Sequence, residues 1–469
     1  MTLRIQLTFF FWLFAVKALA QTYTFDVQQS HADGVYQVGE SIRFTARILE
    51  QGEVARDKAM RAMLYHNGRE VSRKLFALGE FVSMETSLDA PGWCQFAVEG
   101  VDAEGNRLEH EVRGTVKAAR AYMGALVDPL AVQAGAPEPA DFDAFWAKEK
   151  EKLQAIPMEV KRTPVTEDIP EHFKVEYVEV PVGSGYRPVN GIVRKPVDAA
   201  AKSLPIHLFV HGAGVHGPLN PAWAPWLPQE AGLKRPVLFM NLNAHGIPTD
   251  QPKEYYQALA AGELDGYQYQ HSDDPEKYYM KGMILRLIRA LEYLKAQPEW
   301  NGRDIVVGGT SQGGAQALIA GGIDPDVTFV HADVPAMCDY GGTFVGRASG
   351  WPKLYELKND GKIWLKTSRD YKENKLVSEE EVQHLGYFDA ANFAHRMRAQ
   401  AVLYTGGVDG TCPPSSVFAA YNSIPHENKS ILFDPIAGHG RRRYEEGEVA
   451  HTALFLGSEK VSSDSQTLE

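Results

Sequence analysis

Ile305-Val306-Val307-Gly308-Gly309-Thr310-Ser311-Gln312-Gly313-Gly314, followed by the helix-compatible run Ala315 to Ala320, decides the fold. It is Gly-x-Ser-x-Gly between a β-branched apolar run and a helical one, which predicts a strand, a sharp turn and a helix. The serine then sits on a strained turn, where only residues without a Cβ let the backbone pass so closely. The helix that begins there aims unpaired N–H groups at the reaction centre. The plain alternative is a glycine-rich turn whose serine caps the helix. The flanking strand and helix favour Ser311 as a nucleophile, the mark of an α/β-hydrolase.

A serine hydroxyl is a poor nucleophile without a base and an acid that orients it. In this fold they follow later in the chain, acid before histidine, each after a sheet strand. Val402-Leu403-Tyr404-Thr405 leads into Gly406-Gly407-Val408-Asp409, and Ile431-Leu432-Phe433 leads into Ala437-Gly438-His439-Gly440. Asp409 and His439 are therefore the expected acid and base. Asp333, after the preceding strand, is the rival acid, and the context Asp409-Gly410-Thr411-Cys412-Pro413-Pro414 favours Asp409. The developing oxyanion needs two donors. One is the N–H of Gln312. The other falls in His211-Gly212-Ala213-Gly214, after the early strand Leu208-Phe209-Val210, with Ala213 the chosen residue and His211 a brace for its loop.

Around this core the chain alternates short apolar runs with helical ones. Ile206–Val210, Val237–Met240, Ile305–Val307, Phe329–Ala332, Val402–Thr405 and Ile431–Phe433 fit strands buried on both faces of a parallel sheet. Tyr279, Met280, Met283, Ile284, Leu287, Ile288 and Leu291 recur at helical spacing after an Asp274-Pro275 start signal. This predicts a doubly wound, mostly parallel sheet over residues 141–456, opening with a helix capped by Asp141 and followed by a polar tail, 457–469. Residues 119–140 are rich in Pro, Ala and Gly and read as a linker. Residues 21–118 read as an immunoglobulin-like β-sandwich. Ile42, Phe44, Ala46 and Ile48 alternate with polar residues there, and Asn67-Gly68 marks a tight hairpin.

The chain has 469 residues, 44% hydrophobic and 23% charged, enough for two buried cores. Arg4, the apolar run Phe9 to Val16 and Ala18-Leu19-Ala20 read as a cleavable signal peptide, residues 1–20. That points to a secreted or periplasmic protein. No cysteine near the cleavage point offers a lipid anchor. Loss of Arg4 and Lys17 takes the formal charge from −12 to −14. Such a chain does not attract nucleic acid or anionic lipid at long range. Its three cysteines are too few for a disulfide framework. Cys338 and Cys412 both follow strands at the catalytic edge, which leaves a disulfide or two buried thiols open.

Several ordered motifs carry a closer resemblance. They are Pro139-Ala140-Asp141-Phe142-Asp143-Ala144-Phe145-Trp146, Tyr278-Tyr279-Met280-Lys281-Gly282, the Gly-Gly-Thr-Ser-Gln-Gly-Gly turn and Asp333 to Asp339. Tyr387 to Ala394 follows, and the most specific is Asp409 to Asn422, with its Cys-Pro-Pro-Ser-Ser core. From about Asp141 to His439 the chain resembles the acetyl xylan esterase and cephalosporin-C deacetylase family, carbohydrate esterase family seven. The resemblance implies deacetylation of small acetylated sugars without a metal or organic cofactor, and it supports Ser311, Asp409 and His439 as the triad. Two positions depart from the family. Ala213 stands where a tyrosine is usual, and Arg286 stands near a usual aspartate. The extra β-domain also leaves the oligomeric state open, since family members are often single-domain oligomers.

Trp223 and Trp226, in a proline-rich loop, and His245, after a strand at the catalytic edge, are candidate substrate contacts beside a purely structural reading of each. Tyr267 to His271 is a polar, aromatic loop of no assigned use. A glucuronoyl or feruloyl esterase differs from a deacetylase only in pocket shape. A prolyl-oligopeptidase-like peptidase normally carries a propeller of blade repeats, and residues 21–118 show no such period. The non-enzymatic alternative is a carbohydrate-binding surface protein with an inactive hydrolase domain, and the intact triad argues against it.

Overall fold

The computed structural model describes residues 23–112, 115–183, 185–220, 236–358, 360–369 and 374–439. Residues 1–20, expected to be a signal peptide, lie outside the described residues, as do Trp223, Trp226, Gly440 and the expected polar tail.

Alternation builds the N-terminal region. Ile42, Phe44, Ala46 and Ile48 are all buried, whereas Arg43 and Arg47 point outward. Their strand, Ile42–Glu50, pairs with Tyr23–Gln29, Glu53–Val54 and Val82–Thr86 in a four-stranded sheet. A five-stranded sheet runs in the order Val35–Tyr36, Arg120–Val127, Gly92–Val101, Ala59–His66 and Arg69–Phe76. The two share one core, where Phe44 of the first stacks on Phe96 of the second at 5.2 Å. Asn67 and Gly68 both take positive φ and close the hairpin between the last two strands.

The expected linker needs correction. Arg120–Val127 is a strand that pairs along its whole length with Gly92–Val101, so the strand-rich region runs on to Val127. The segment after it is pinned rather than loose. Asn422 donates to the carbonyls of Pro129 and Val132, and the Gly135 amide donates to Asp339.

The second part is a nine-stranded mixed sheet. Its strands are β1 (Lys161–Val165), β2 (Phe173–Val180), β3 (Val189–Pro196), β4 (Leu204–Val210), β5 (Leu238–Asn243), β6 (Trp300–Thr310), β7 (Phe329–Asp333), β8 (Gln400–Gly406) and β9 (Lys429–Asp434). The spatial order is β1-β2-β3-β5-β4-β6-β7-β8-β9, with β5 to β9 along this order parallel and the first three strands antiparallel. This is the sheet of an α/β-hydrolase. All seven residues of β4 are buried, as expected for a strand covered on both faces.

Four helices matter to the site: α1 (Phe142–Gln154), α2 (Tyr279–Lys295), α3 (Gln312–Ile323) and α4 (Pro414–Ser423). Two start signals are used differently from the expectation. Asp141 stands at the N-cap of α1 but makes no capping bond; its carboxylate accepts the Tyr387 hydroxyl instead. Asp274 accepts the Glu276 amide at 3.0 Å and shapes a turn, and α2 begins only at Tyr279. Because β4, β6, β8 and β9 run parallel, the loops after Val210, Thr310, Gly406 and Asp434 emerge at one edge of the sheet.

Candidate active site

Thr310 ends β6 and Gln312 begins α3, which leaves Ser311 alone at the corner. Its backbone takes φ 58° and ψ −117°, a conformation that costs a non-glycine residue about 1–3 kcal/mol. Two bonds hold it there. The Ser311 amide donates to the Asp333 carbonyl at 2.8 Å, and the Ser311 carbonyl accepts the Ala336 amide at 3.0 Å. The glycines are needed for contact: a Cβ built on Gly309 would fall 2.5 Å from the Val210 carbonyl oxygen.

His439 and Asp409 converge on this corner. The Ser311 hydroxyl lies 3.0 Å from His439 Nε2, and His439 Nδ1 lies 2.8 Å from Asp409 Oδ2. A carboxylate only accepts, so Nδ1 carries the proton and Nε2 is left to accept from the serine. The other oxygen of Asp409 accepts the amides of Thr411 and Cys412 at 2.8 and 2.9 Å, which fixes the carboxylate plane. Asp409 is fully buried, while His439 keeps 29% of its side chain exposed, so the site opens at the histidine. Asp333 belongs to the elbow instead: its Oδ2 accepts the Thr310 hydroxyl at 3.0 Å.

Both expected oxyanion segments border the serine. Gln312 is the first residue of α3, so its amide has no carbonyl one turn back. A Cβ built on Gly212, next to Ala213, would sit 3.7 Å from that of Ser311. Tyr267 joins the two segments. Its hydroxyl donates to Gln312 Oε1 at 2.7 Å and accepts the Gly214 amide at 3.2 Å. Sequence reasoning gave this tyrosine no role, because nothing in its own loop announces a partner 45 residues on.

His245 is not a substrate contact. It is fully buried, and both ring nitrogens are engaged. Nε2 meets the Gly214 carbonyl at 3.1 Å and Nδ1 meets the Tyr279 hydroxyl at 2.9 Å. The carbonyl only accepts, so Nε2 is protonated and Nδ1 accepts from Tyr279. Burial holds this imidazole neutral, well below its usual pKa. His211 braces the same loop in the same way, donating from Nδ1 to Gly212 and accepting the Ala244 amide on Nε2. Burial lowers its pKa to about 4. Arg286 lies beneath, donating to the Ala244 and Arg187 carbonyls, and burial brings its guanidinium down to about 10.

The three cysteines are free and buried, so Cys338 and Cys412 are two thiols rather than a disulfide. Asp409, Cys412 and His439 bring ligand-type atoms within 4.8 Å of one another. Two of the three are already bonded to each other, and burial keeps the Cys412 thiol protonated. The set is a hydrogen-bonded carboxylate and imidazole with a neutral thiol beside them.

Known proteins share this architecture. The acetyl xylan esterase (AXE1) family model matches residues 130–452. The acetyl esterase Axe7A of Xylanibacter ruminicola is 28% identical over 303 residues, 64% of this chain, and the match spans 63% of that protein's length. An acetyl xylan esterase structure from Paenibacillus sp. R4 aligns with a TM-score of 0.56 and 26% identity, over 70% of this chain and 98% of that one. Acetyl xylan esterase 1 from Thermoanaerobacterium sp. JW/SL YS485 aligns with the same TM-score and coverage at 20% identity, a likeness of fold.

Proposed function

The chain belongs to the acetyl xylan esterase family, and from that premise we propose that it is a serine carboxylic ester hydrolase that removes O-acetyl groups from acetylated sugars or xylo-oligosaccharides. The observation that carries the reading is the unbroken relay from Ser311 Oγ to His439 Nε2, 3.0 Å, and from His439 Nδ1 to Asp409, 2.8 Å.

The chemistry follows from that relay. As Ser311 Oγ attacks the acetyl carbon, its proton passes to His439 Nε2, and Asp409 stabilises the imidazolium that forms. The carbonyl oxygen becomes an oxyanion, received by the amides of Gln312 and Ala213. When the tetrahedral adduct collapses, His439 returns the proton to the sugar oxygen, which leaves as the alcohol. An acetyl group remains on Ser311. His439 then takes a proton from water, the hydroxide attacks the acetyl-serine, and acetate leaves as Ser311 recovers its proton. Ala213 carries only a methyl group where the resemblance to the family implies a tyrosine, so it offers the acyl group a small side chain.

Secretion through residues 1–20 belongs to the same reading, as does an immunoglobulin-like identity for the N-terminal unit. The test is release of acetate from acetylated xylo-oligosaccharides by the mature protein and by Ser311→Ala. Acetate from the first and almost none from the second is the expected result. Ser311-dependent hydrolysis of an aryl acetate with no acetate from the sugar would move the substrate to another ester class.

A further inference from the structure

The N-terminal unit grips the two loops that carry Asp409 and His439. Trp93, almost fully buried, donates its indole N–H to the Gly407 carbonyl at 2.7 Å, two residues before the acid. The Gly124 amide donates to the Pro435 carbonyl, also at 2.7 Å, four residues before the histidine. Between these grips the loops are joined to each other: Gly407 donates to the Asp434 carbonyl and Val408 to that of Ala437. The fit is close enough to exclude a side chain, since a Cβ on Gly124 would lie 2.0 Å from the Gly407 carbonyl oxygen. Trp93 is itself held, because Asn67 of the hairpin turn accepts its amide at 2.9 Å and donates its own amide to its carbonyl at 2.7 Å.

We propose that the N-terminal unit is a positioning element for catalysis, with Trp93 and Gly124 as the residues that set the loops of Asp409 and His439. The proposal rests on the reading of those two residues as acid and base. A buried indole N–H and a buried amide spend their hydrogen bonds on carbonyls of the acid and histidine loops and on no other part of the sheet edge. Held at Gly407 and at Pro435, the paired loops lose the hinge freedom that glycines at 406, 407, 410 and 438 would otherwise give them. The gain is in preorganisation, so its loss falls on turnover rather than on substrate affinity.

The test uses the full-length mature protein with 4-nitrophenyl acetate. Trp93→Phe keeps an aromatic ring, though a smaller one, and removes the donor, and Gly124→Ala pushes on the Gly407 carbonyl. Rates are normalised to sites titrated with a fluorophosphonate, well below the melting temperature. The expected result is a kcat lowered about five- to tenfold for Trp93→Phe and more for Gly124→Ala, with KM within about twofold. The rate of fluorophosphonate labelling should fall by a similar factor. An active wild type with both variants unchanged per titrated site overturns the proposal alone. Failure of both variants to fold overturns it too, because the contact is then a folding element. A wild type without Ser311-dependent turnover overturns the functional reading first.

Discussion

Gly313 and Val210 approach so closely that a Cβ built on the glycine would fall 2.0 Å from the valine carbonyl oxygen. The same atom would lie 2.9 Å from the His211 carbonyl. Both neighbours are backbone at the end of β4, so neither can turn aside as a flexible side chain would. The first turn of α3 is thereby seated against the loop that holds Ala213. Gly313→Ala should separate the two oxyanion segments and lower Ser311-dependent turnover by about 100-fold or more. Steady-state hydrolysis of 4-nitrophenyl acetate, with circular dichroism to confirm folding, measures it. Turnover within tenfold of wild type would show that α3 can shift without disturbing the serine.

Asp409 and Asp333 are both buried acids beside the elbow, and their partners separate them. Asp409 faces the His439 ring, while Asp333 faces the Thr310 hydroxyl. Asp409→Asn should lower kcat by about 10³–10⁴, because an amide no longer fixes the tautomer that leaves Nε2 free to accept. Asp333→Asn keeps an acceptor for Thr310 and should stay within about tenfold of wild type. The reverse ranking in kcat would exchange the two assignments.

Tyr267→Phe tests the link between the oxyanion segments. It removes one oxygen and strands two partners, the half-buried Gly214 amide and the buried Gln312 side chain, the latter at a cost of about 1–3 kcal/mol if it stays unpaired. The loop should loosen against α3, and kcat should fall about tenfold with little change in KM. An unchanged kcat accompanied by a lower melting temperature would confine the hydroxyl to stability.

The turn at Ser311 and the meeting of Asp409 and His439 beside it were legible because each follows a local pattern: an apolar strand, glycine and then the polar residue. The nine-stranded sheet was mostly legible for the same reason, since runs such as Leu208-Phe209-Val210 are apolar on both faces. Strand Arg120–Val127 was hidden because its second half, Met123 to Val127, is buried throughout and does not alternate. Gly124 there is small to admit Gly407, a demand set by residues far away. The bond from Trp93 to Gly407 spans 314 positions and leaves no mark on either neighbourhood. His245 misled for the opposite reason: its residue type suggests chemistry, and only its burial shows the ring spent on Gly214 and Tyr279.

The thiols give a prediction of their own. Burial pushes Cys94 up to about 12, and Cys338 and Cys412 well above the usual thiol value. Thiolate is the reactive form, so all three should be inert in the native protein. A disulfide-exchange reagent should count no thiols in buffer and three in denaturant, and a reductant should leave the melting temperature unchanged. Fewer than three in denaturant would indicate oxidation between Cys338 and Cys412.

Acid should destabilise the fold through histidines that are buried neutral. Burial, with His331 adding to it, lowers His207 to about 3. Burial likewise lowers His211 to about 4 and places His245 well below its usual value. In the unfolded chain each titrates near 6.5. Below pH 6.5 the unfolded state therefore takes up protons that the folded state refuses, and stability falls as the pH falls toward 4. Above 6.5 these groups are neutral in both states and add no slope. Asp389 has the opposite sign. Burial and then the neighbouring Asp339 raise it to about 7, so its contribution is present below the unfolded value near 3.9 and is lost as the pH rises toward 7. The histidines outnumber it in the window they share, and the net slope from pH 6.5 to 4 should be a loss. His207 is the cleanest to remove, since its Nδ1 has no hydrogen-bond partner among the described residues. His207→Leu should reduce the pH slope of stability by roughly one proton, read from urea unfolding at a series of pH values. An unchanged slope would mean that His207 titrates alike in the folded and unfolded chains.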